Sequence, residues 1–348
     1  MTTSHSNPQD SMRSTWRRNQ SQWTIYHKLL DSGNLHHIDL DREVPKFSKD
    51  TKVSYLADWQ LNRFVLFYTV IPFAIHEVYW RLVGNNFGPL IAFFFYQQAT
   101  KVMMTRALHS FKDLGHSIGF LDGDNHDRDG VPDVGVRKTF LTITAGGIMR
   151  AFATVYLCYS TNEPPSSLHW GFLIPEIGLY GLILDFWFYW YHRLMHVVHG
   201  LWRFHRTHHL TKHPNMLLAG YADIEQDFFD ILGIPLMTFW TMRCIGLPMG
   251  FYEWFACQQF ITFSEVSGHS GVRMYASAPG PLTWLWRLFD AELVIEDHDL
   301  HHRFGYRKSH NYGKQTRVWD RVFGTCIPRI ECAKDNVDFN KKIKLALY

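Results

Sequence analysis

Cysteine is scarce and unpaired: Cys158, Cys244, Cys257, Cys326 and Cys332 are odd in number and form no C-x-x-C pair. That excludes a disulfide scaffold and suits reducing surroundings for any soluble part. The first twenty residues are polar, with no apolar stretch of the kind a cleavable signal needs, so membrane insertion is expected to use internal segments. A formal charge of +3 over 348 residues is too small to suggest nucleic-acid binding. Internal repeats and low-complexity tracts are not evident. No segment is a clean, charge-free run of about 20 strongly apolar residues. The mean hydropathy of −0.18 also argues against a bundle wholly immersed in lipid.

Aromatic residues and histidine are abundant. Aromatics make up 16% of the chain, with 13 Trp and 27 Phe. That density suits a membrane protein whose Trp and Tyr rings sit at the headgroup level. Apolar segments come in pairs. Residues 61–83 and 90–105 flank the turn Gly84-Asn85-Asn86-Phe87-Gly88-Pro89, and residues 228–244 and 251–266 flank Gly246-Leu247-Pro248-Met249-Gly250. Gly and Pro clusters between apolar runs read as turns, so both pairs are expected to be helical hairpins. Between them lie 139–159, broken by Arg150, and 170–191, broken by Glu176 and Asp185. The expected fold is therefore all-α, with integral membrane hairpins and about four membrane helices. A soluble all-α protein fits the paired layout less well.

The chain divides into a charged arm (1–60), membrane helices with a polar loop (61–170), a catalytic portion (171–330) and a basic tail (331–348). From Arg303 onward, eleven Lys/Arg against four Asp/Glu give about +7, which suits an anionic membrane surface or an acidic partner. The loop Asn125-x-Asp127-x-Asp129-Gly130-x-x-Asp133 resembles part of a calcium loop. It lacks the acidic first residue and has Val136 where a bidentate Glu should close the site, so it reads as a polar turn.

Three histidine clusters carry the chemistry: His192-Arg193-Leu194-Met195-His196, His205-Arg206-Thr207-His208-His209 and His298-Asp299-Leu300-His301-His302. Spacings of three and four residues place side chains on one helical face, so each cluster is expected to aim its imidazoles at one point. Eight histidines exceed the needs of one ion, since structural zinc takes four ligands and catalytic zinc usually three. Two adjacent metals fit the count better. Imidazole suits iron, zinc, copper and nickel alike, so ligand type does not name the metal. Asp185, seven residues before His192, is placed to orient a ligand.

With His269 in Ser267-Gly268-His269-Ser270-Gly271, and with the ending Asn311-Tyr312-Gly313 and Trp319-Asp320-Arg321-Val322-Phe323-Gly324-Thr325, these clusters resemble the sterol desaturase/fatty acid hydroxylase superfamily. The resemblance spans roughly 183–325. It implies nine metal ligands: His192, His196, His205, His208, His209, His269, His298, His301 and His302. Some relatives carry a tenth histidine where this chain has Glu265, so Glu265 is a candidate tenth ligand or a support for one. The resemblance further implies a multi-pass protein of the endoplasmic-reticulum membrane with a cytosolic helical cap holding two Fe2+ ions. Electrons would come from cytochrome b5 or a similar donor, which must be a separate protein because no HPGG haem motif occurs here. Between His302 and Asn311 the chain runs longer than the sterol branch, adding Arg303, Arg307, Lys308 and His310, expected as a solvated loop.

The function so implied is O2-dependent hydroxylation of a fatty-acyl chain or sterol-like lipid at an unactivated C–H. Metal chemistry alone would serve, with no side chain needed as acid or base. Desaturation on the same site is the alternative within enzymes, and a histidine-rich membrane metal transporter is the alternative outside them.

Overall fold

The computed structural model of the chain describes residues 7–347. It is built mainly from long helices that run alternately between two ends. Strand β1 (Val53–Tyr55) leads into α1 (Asp58–Val83), which turns into α2 (Pro89–Ile118). Helices α3 (Val136–Cys158) and α4 (Trp170–Val197) form a second up-and-down pair. The short α5 (His199–His205) follows, and then α6 (Ile234–Cys244) and α7 (Phe251–Gly268) form a third pair. After β2 (Met274–Tyr275) come α8 (Ile295–Phe304) and finally β3 (Val337–Lys342).

The hairpin turns gather at one end. Gly84 stops α1 in the left-handed region at φ 78°, its N–H returning to the Trp80 carbonyl, a closure that favours glycine. Pro89 then opens α2 at a position where a missing N–H costs nothing. The Tyr159 hydroxyl donates to the Phe87 carbonyl at 2.8 Å, and the Met249 N–H donates to Glu176 at 2.7 Å, tying the three turns together. The histidine segments lie at the opposite end, His192 and His196 in the last two turns of α4 and the others beyond the C-termini of α4 and α7.

Helices α3 and α4 are long and apolar enough to cross a membrane. Helix α1 carries exposed Leu66, Val70, Ile75, Val78 and Leu82, and α2 carries exposed Leu90, Ile91 and Phe94. Contiguous apolar surface of this kind is unusual on a protein surrounded by water. Helix α7 is the opposite case. Nearly all its residues are buried, and it forms the axis of the bundle.

Two sequence expectations change. The arm and the tail are parts of the body: β1 pairs in parallel with both β2 and β3, so a small three-stranded sheet joins residues 53–55, 274–275 and 337–342. Gln60 fastens the same region, donating to the Ile343 carbonyl and accepting the Leu345 N–H. The basic charge counted from Arg303 onward is also less exposed than its number suggests. Arg317 and Arg329 are buried against Asp297, and Arg303, placed by sequence on a solvated loop, is buried against Asp299. All five cysteines are free.

The polar turn 125–133 has its carboxylates engaged elsewhere. Asp129 pairs with Arg128, Asp127 with Arg18, and Asp133 accepts the backbone N–H groups of Thr15 and Trp16.

Candidate metal centre

Helix α4 ends at Val198, whose extended ψ of 117° breaks the helix and sends α5 back beside it. This brings His205 against His192, their Nε2 atoms 2.9 Å apart. After His205 the chain tightens into the short 3-10 turn His208–Leu210, and the rings of His208 and His209 stand at 90° to one another. In α8 the neighbours His301 and His302 diverge similarly, at 85°. The sequence expectation of one point per cluster is therefore corrected. Adjacent residues on a helix point about 100° apart, so the second and third clusters are each divided between two sites.

The first set contains His192, His196, His205, His209 and His301. The second contains His208, His269, His298 and His302. Within each set one donor atom from every residue lies within 4.8 Å of the others. Donors on opposite sides of one ion would be about 4.2 Å apart, given metal–imidazole bonds of about 2.1 Å. His209 and His302, from different sets, stack at 4.7 Å between ring centroids, so the two sites adjoin. All nine sequence-predicted histidines fall in these sets. His199 is exposed at the start of α5, and His213 lies 4.0 Å from Asp122 outside them.

The hydrogen bonds fix which ring nitrogen is free. The Nδ1–H of His192 donates to the Tyr312 carbonyl at 2.9 Å, that of His269 to Glu265 O at 2.7 Å, that of His301 to His310 O at 2.7 Å and that of His302 to Thr211 O at 3.1 Å. His196 likewise donates to Tyr306 O, and His205 donates to the side-chain carbonyl of Gln226 at 2.9 Å. Each bond places the proton on Nδ1 and the lone pair on Nε2, the usual arrangement around a ligating imidazole. The Nε2 atoms of His192 and His205 thus meet lone pair to lone pair, which a shared cation would turn from repulsion into ligation. The Nε2 atoms of His196 and His302 are buried with no hydrogen-bond partner among the described residues. Such atoms are costly to leave unmet, and a metal would satisfy them. Burial pushes the His205 and His269 rings down to about 4, and it also holds His208, His298, His301 and His302 well below the ordinary imidazole range. The rings are therefore neutral at physiological pH, the form that binds metals.

The carboxylates take supporting positions. Asp185 accepts the N–H groups of Lys314, Gln315 and Thr316, together with the Thr316 hydroxyl. It anchors the loop that presents the Tyr312 carbonyl to His192 and so acts through that loop. Asp320 holds the same loop from the other side, accepting from Tyr312 N and Gly313 N at 2.8 and 2.7 Å. A Cβ on Gly313 would lie 2.1 Å from the Thr316 carbonyl, so only glycine fits there. Glu265 lies outside both histidine sets. Its carboxylate meets Lys314 at 3.0 Å and Arg150 at 3.6 Å, while its backbone carbonyl orients His269. Asp297 accepts the Val294 N–H at the start of α8, fixing the helix that carries three of the rings.

Gln226 was not singled out by sequence. It is held by Asp230 at 3.2 Å, inside the π-helical segment Phe229–Gly233 that interrupts the approach to α6. Such segments are frequent at functional sites. The signal was present as Gln226 and Asp230, one turn apart at the head of an apolar run. Beside Asp230 and Glu265 opens a cavity of about 360 Å³ between α2, α3 and α7. None of the nine histidines lines it, but Glu265, whose backbone carbonyl meets the His269 ring, does.

The family model described as "Fatty acid hydroxylase" matches residues 177–325. The chain is 40% identical over 318 residues to the fatty acid hydroxylase vlmA of Lecanicillium sp., covering 87% of each protein. It is 26% identical over 205 residues to alkylglycerol monooxygenase of Xenopus tropicalis, covering 58% of this chain and 39% of that one. It is 29% identical over 154 residues to methylsterol monooxygenase 1-3 of Arabidopsis thaliana, covering 44% and 48%. No solved structure matches. With its histidine segments and the NYG and WDRVFGT ending inside the matched region, this chain belongs to the sterol desaturase/fatty acid hydroxylase superfamily and is an oxidoreductase.

Proposed function

We propose that the protein is an O2-dependent lipid hydroxylase whose nine histidines hold two Fe2+ ions, five in one set and four in the other. The observation that carries this reading is the pattern of Nδ1–H groups pinned to carbonyl oxygens, leaving free Nε2 lone pairs in two adjoining sets beside a cavity. When bound, a pair of irons supplies reductive activation of O2 sufficient to attack an unactivated C–H. The balanced change is C–H plus O2, two electrons and two protons, giving C–OH and water.

The chain's own contribution is placement. Tyr312, Gln226, Glu265, His310 and Thr211 fix the ring orientations; Asp185 and Asp320 hold the loop that presents Tyr312; and the cavity keeps the reacting carbon out of water. The electrons would come from a separate cytochrome b5-type donor. Helices α1–α4 would cross the membrane of the endoplasmic reticulum, with the histidine end in the cytosol as a cap. Residues 171–330 would form the catalytic portion, and Glu265 and Asp185 would support ligands.

The test is turnover of the purified protein, reconstituted with iron and a b5 reductase chain, under 18O2. Incorporation of one labelled oxygen into a lipid alcohol, lost in His208→Ala, supports hydroxylation. An unlabelled alkene would assign desaturation instead. Metal flux across vesicles without lipid product would identify a transporter.

A further inference from the structure

The exposed aliphatic surface of the first hairpin stops at a common level on the side nearer the histidines. On α1 it ends at Leu66 and on α2 at Val102. Within the next turn toward the histidine end stand Arg63 and Arg106. Trp59, exposed one turn further along α1, carries the Arg63 guanidinium over its ring at 4.9 Å. An indole and cations at the edge of an apolar band are the pattern of a membrane–water interface. At this level, between α2 and the last described residues of the chain, lies a recess of about 490 Å³ whose walls include Arg106, His109, Ser110, Lys112 and Lys344.

The tail is held in place as one wall. Arg63 donates to the Leu345 carbonyl at 3.2 Å, Gln60 accepts the Leu345 N–H at 2.8 Å, and Ser110 donates to the Ala346 carbonyl at 3.4 Å. Lys344 is therefore fixed at its backbone beside α2. The charges around the recess do not cancel. Asp39 and Asp113 also line it, but both are already paired: Lys112 meets Asp39 at 2.8 Å, and Arg42 meets Asp39 at 3.2 Å and Asp113 at 2.9 Å. Arg106 and Lys344 meet no carboxylate among the described residues. Four cations (Arg42, Arg106, Lys112 and Lys344) against two carboxylates leave two positive charges over. Lys344 is exposed and Arg106 half-buried, so both can be reached from outside.

We infer that this recess binds the phosphate of an anionic lipid headgroup, with Arg106 and Lys344 as its charged contacts. Its level at the edge of the apolar band is where headgroups lie, and basic pockets beside membrane helices at that depth attract anionic lipids. The acyl chains of such a lipid would continue along the apolar surface that begins at Val102. A concave site suits a headgroup better than the face of a folded protein. The inference rests on α1 and α2 lying in the bilayer, as proposed above.

The experiment is equilibrium binding to the iron-loaded full chain in detergent micelles, with dioctanoyl phosphatidic acid, dioctanoyl phosphatidylcholine and inorganic phosphate as probes. We expect phosphatidic acid to bind about tenfold tighter than phosphatidylcholine, and inorganic phosphate to bind more weakly than either lipid. Arg106→Gln/Lys344→Gln should remove the preference, with the thermal midpoint reporting the fold. Lys341→Gln/Lys342→Gln, whose side chains do not line the recess, should keep it. Equal binding of the two lipids by the unaltered protein overturns the inference without need of any variant. So does a preference that survives in the folded Arg106→Gln/Lys344→Gln protein. Inorganic phosphate binding as tightly as phosphatidic acid would make the recess a free-anion site and overturn the lipid assignment. If the lipids bind alike and that variant instead weakens binding of cytochrome b5, the recess is a protein-docking face and the inference fails. Reconstitution into phosphatidylcholine vesicles and 18O2 turnover are measured on the same preparation. Failure to insert refutes the membrane placement and this inference with it. Loss of the lipid preference with turnover intact refutes only this inference, and a preference without oxygenated product refutes only the hydroxylase reading.

Discussion

Six of the nine histidines commit Nδ1 to a carbonyl oxygen, five of these oxygens belonging to the backbone, and so leave Nε2 free for a metal. The spacing of the three clusters made eight of the nine candidate ligands legible in the sequence, and the ninth, His269, came with the family resemblance. Their division into a set of five and a set of four was not legible. It depends on the break at Val198 and the 3-10 turn at His208, which bring together residues far apart in the chain. The support of His192 shows why the NYG and WDRVFGT segments accompany the clusters, since Asp320 holds the loop that presents the Tyr312 carbonyl. Asp320→Ala would leave two buried N–H groups unmet at about 1–3 kcal/mol each. It should lower the thermal midpoint and reduce iron retained per chain, both measurable on the purified protein, whereas Asp320→Asn, which keeps one acceptor oxygen, should lose less. A residue far from the metals sets a pH dependence. Burial pushes His36 from about 6.5 down to about 3, although Asp31 lies 3.0 Å away. Above 6.5 the ring is neutral whether the chain is folded or unfolded. Between 6.5 and 3 only the unfolded chain takes up the proton, so stability must fall as pH falls through that window. Thermal midpoints of His36→Gln across pH 3–7 should show a shallower decline than those of the unaltered protein.

The hairpins were readable because Gly and Pro clusters separate long apolar runs. Helices α1, α3 and α7 begin and end within about three residues of the expected limits, whereas α4 runs on to Val197, α6 starts at Ile234 and α2 continues to Ile118. What the pattern could not show is that α7 would become the buried axis, because a helix apolar on all sides reads alike whether lipid or protein surrounds it. Trp254 illustrates the difference. It is 1% exposed, its ring lies 4.4 Å from Phe239 of α6 and its indole N–H donates to the Tyr180 hydroxyl of α4 at 3.0 Å. One side chain thus joins three helices. Trp254→Ala should cost about 3–5 kcal/mol of stability, and Trp254→Phe, which loses chiefly the hydrogen bond, about 1 kcal/mol. Denaturation in detergent would compare the two. Equal losses would mean that packing around the ring contributes little.

Across the whole molecule, the three hairpin turns mark one end and the histidine sets mark the other. The small sheet joins residues 53–55 before the first long helix to residues 337–342 near the end of the described chain. If α1–α4 cross the bilayer, both chain ends and the metal sites share one side. Reporter tags at the two termini should then be accessible from the cytosol, while tags in the Gly84–Gly88 and Asn162 turns should be protected until the membrane is opened. The sequence showed a basic C-terminal region, but part of its charge proves internal, paired with Asp297, Glu292 and Asp299, because ion pairing across distant segments leaves no local pattern. The exposed Lys341, Lys342 and Lys344 form a basic surface on which the proposed electron donor, if acidic, would dock. Turnover with added cytochrome b5 should therefore slow as salt rises, and a salt-independent rate would count against that docking. The central claim is that nine histidines from distant segments form two adjoining sites, each holding one iron. Elemental analysis of the purified, iron-replete protein tests it most directly. The account predicts two irons per chain, falling in His302→Ala; a single metal ion per chain, or zinc retained in preference to iron, would contradict it.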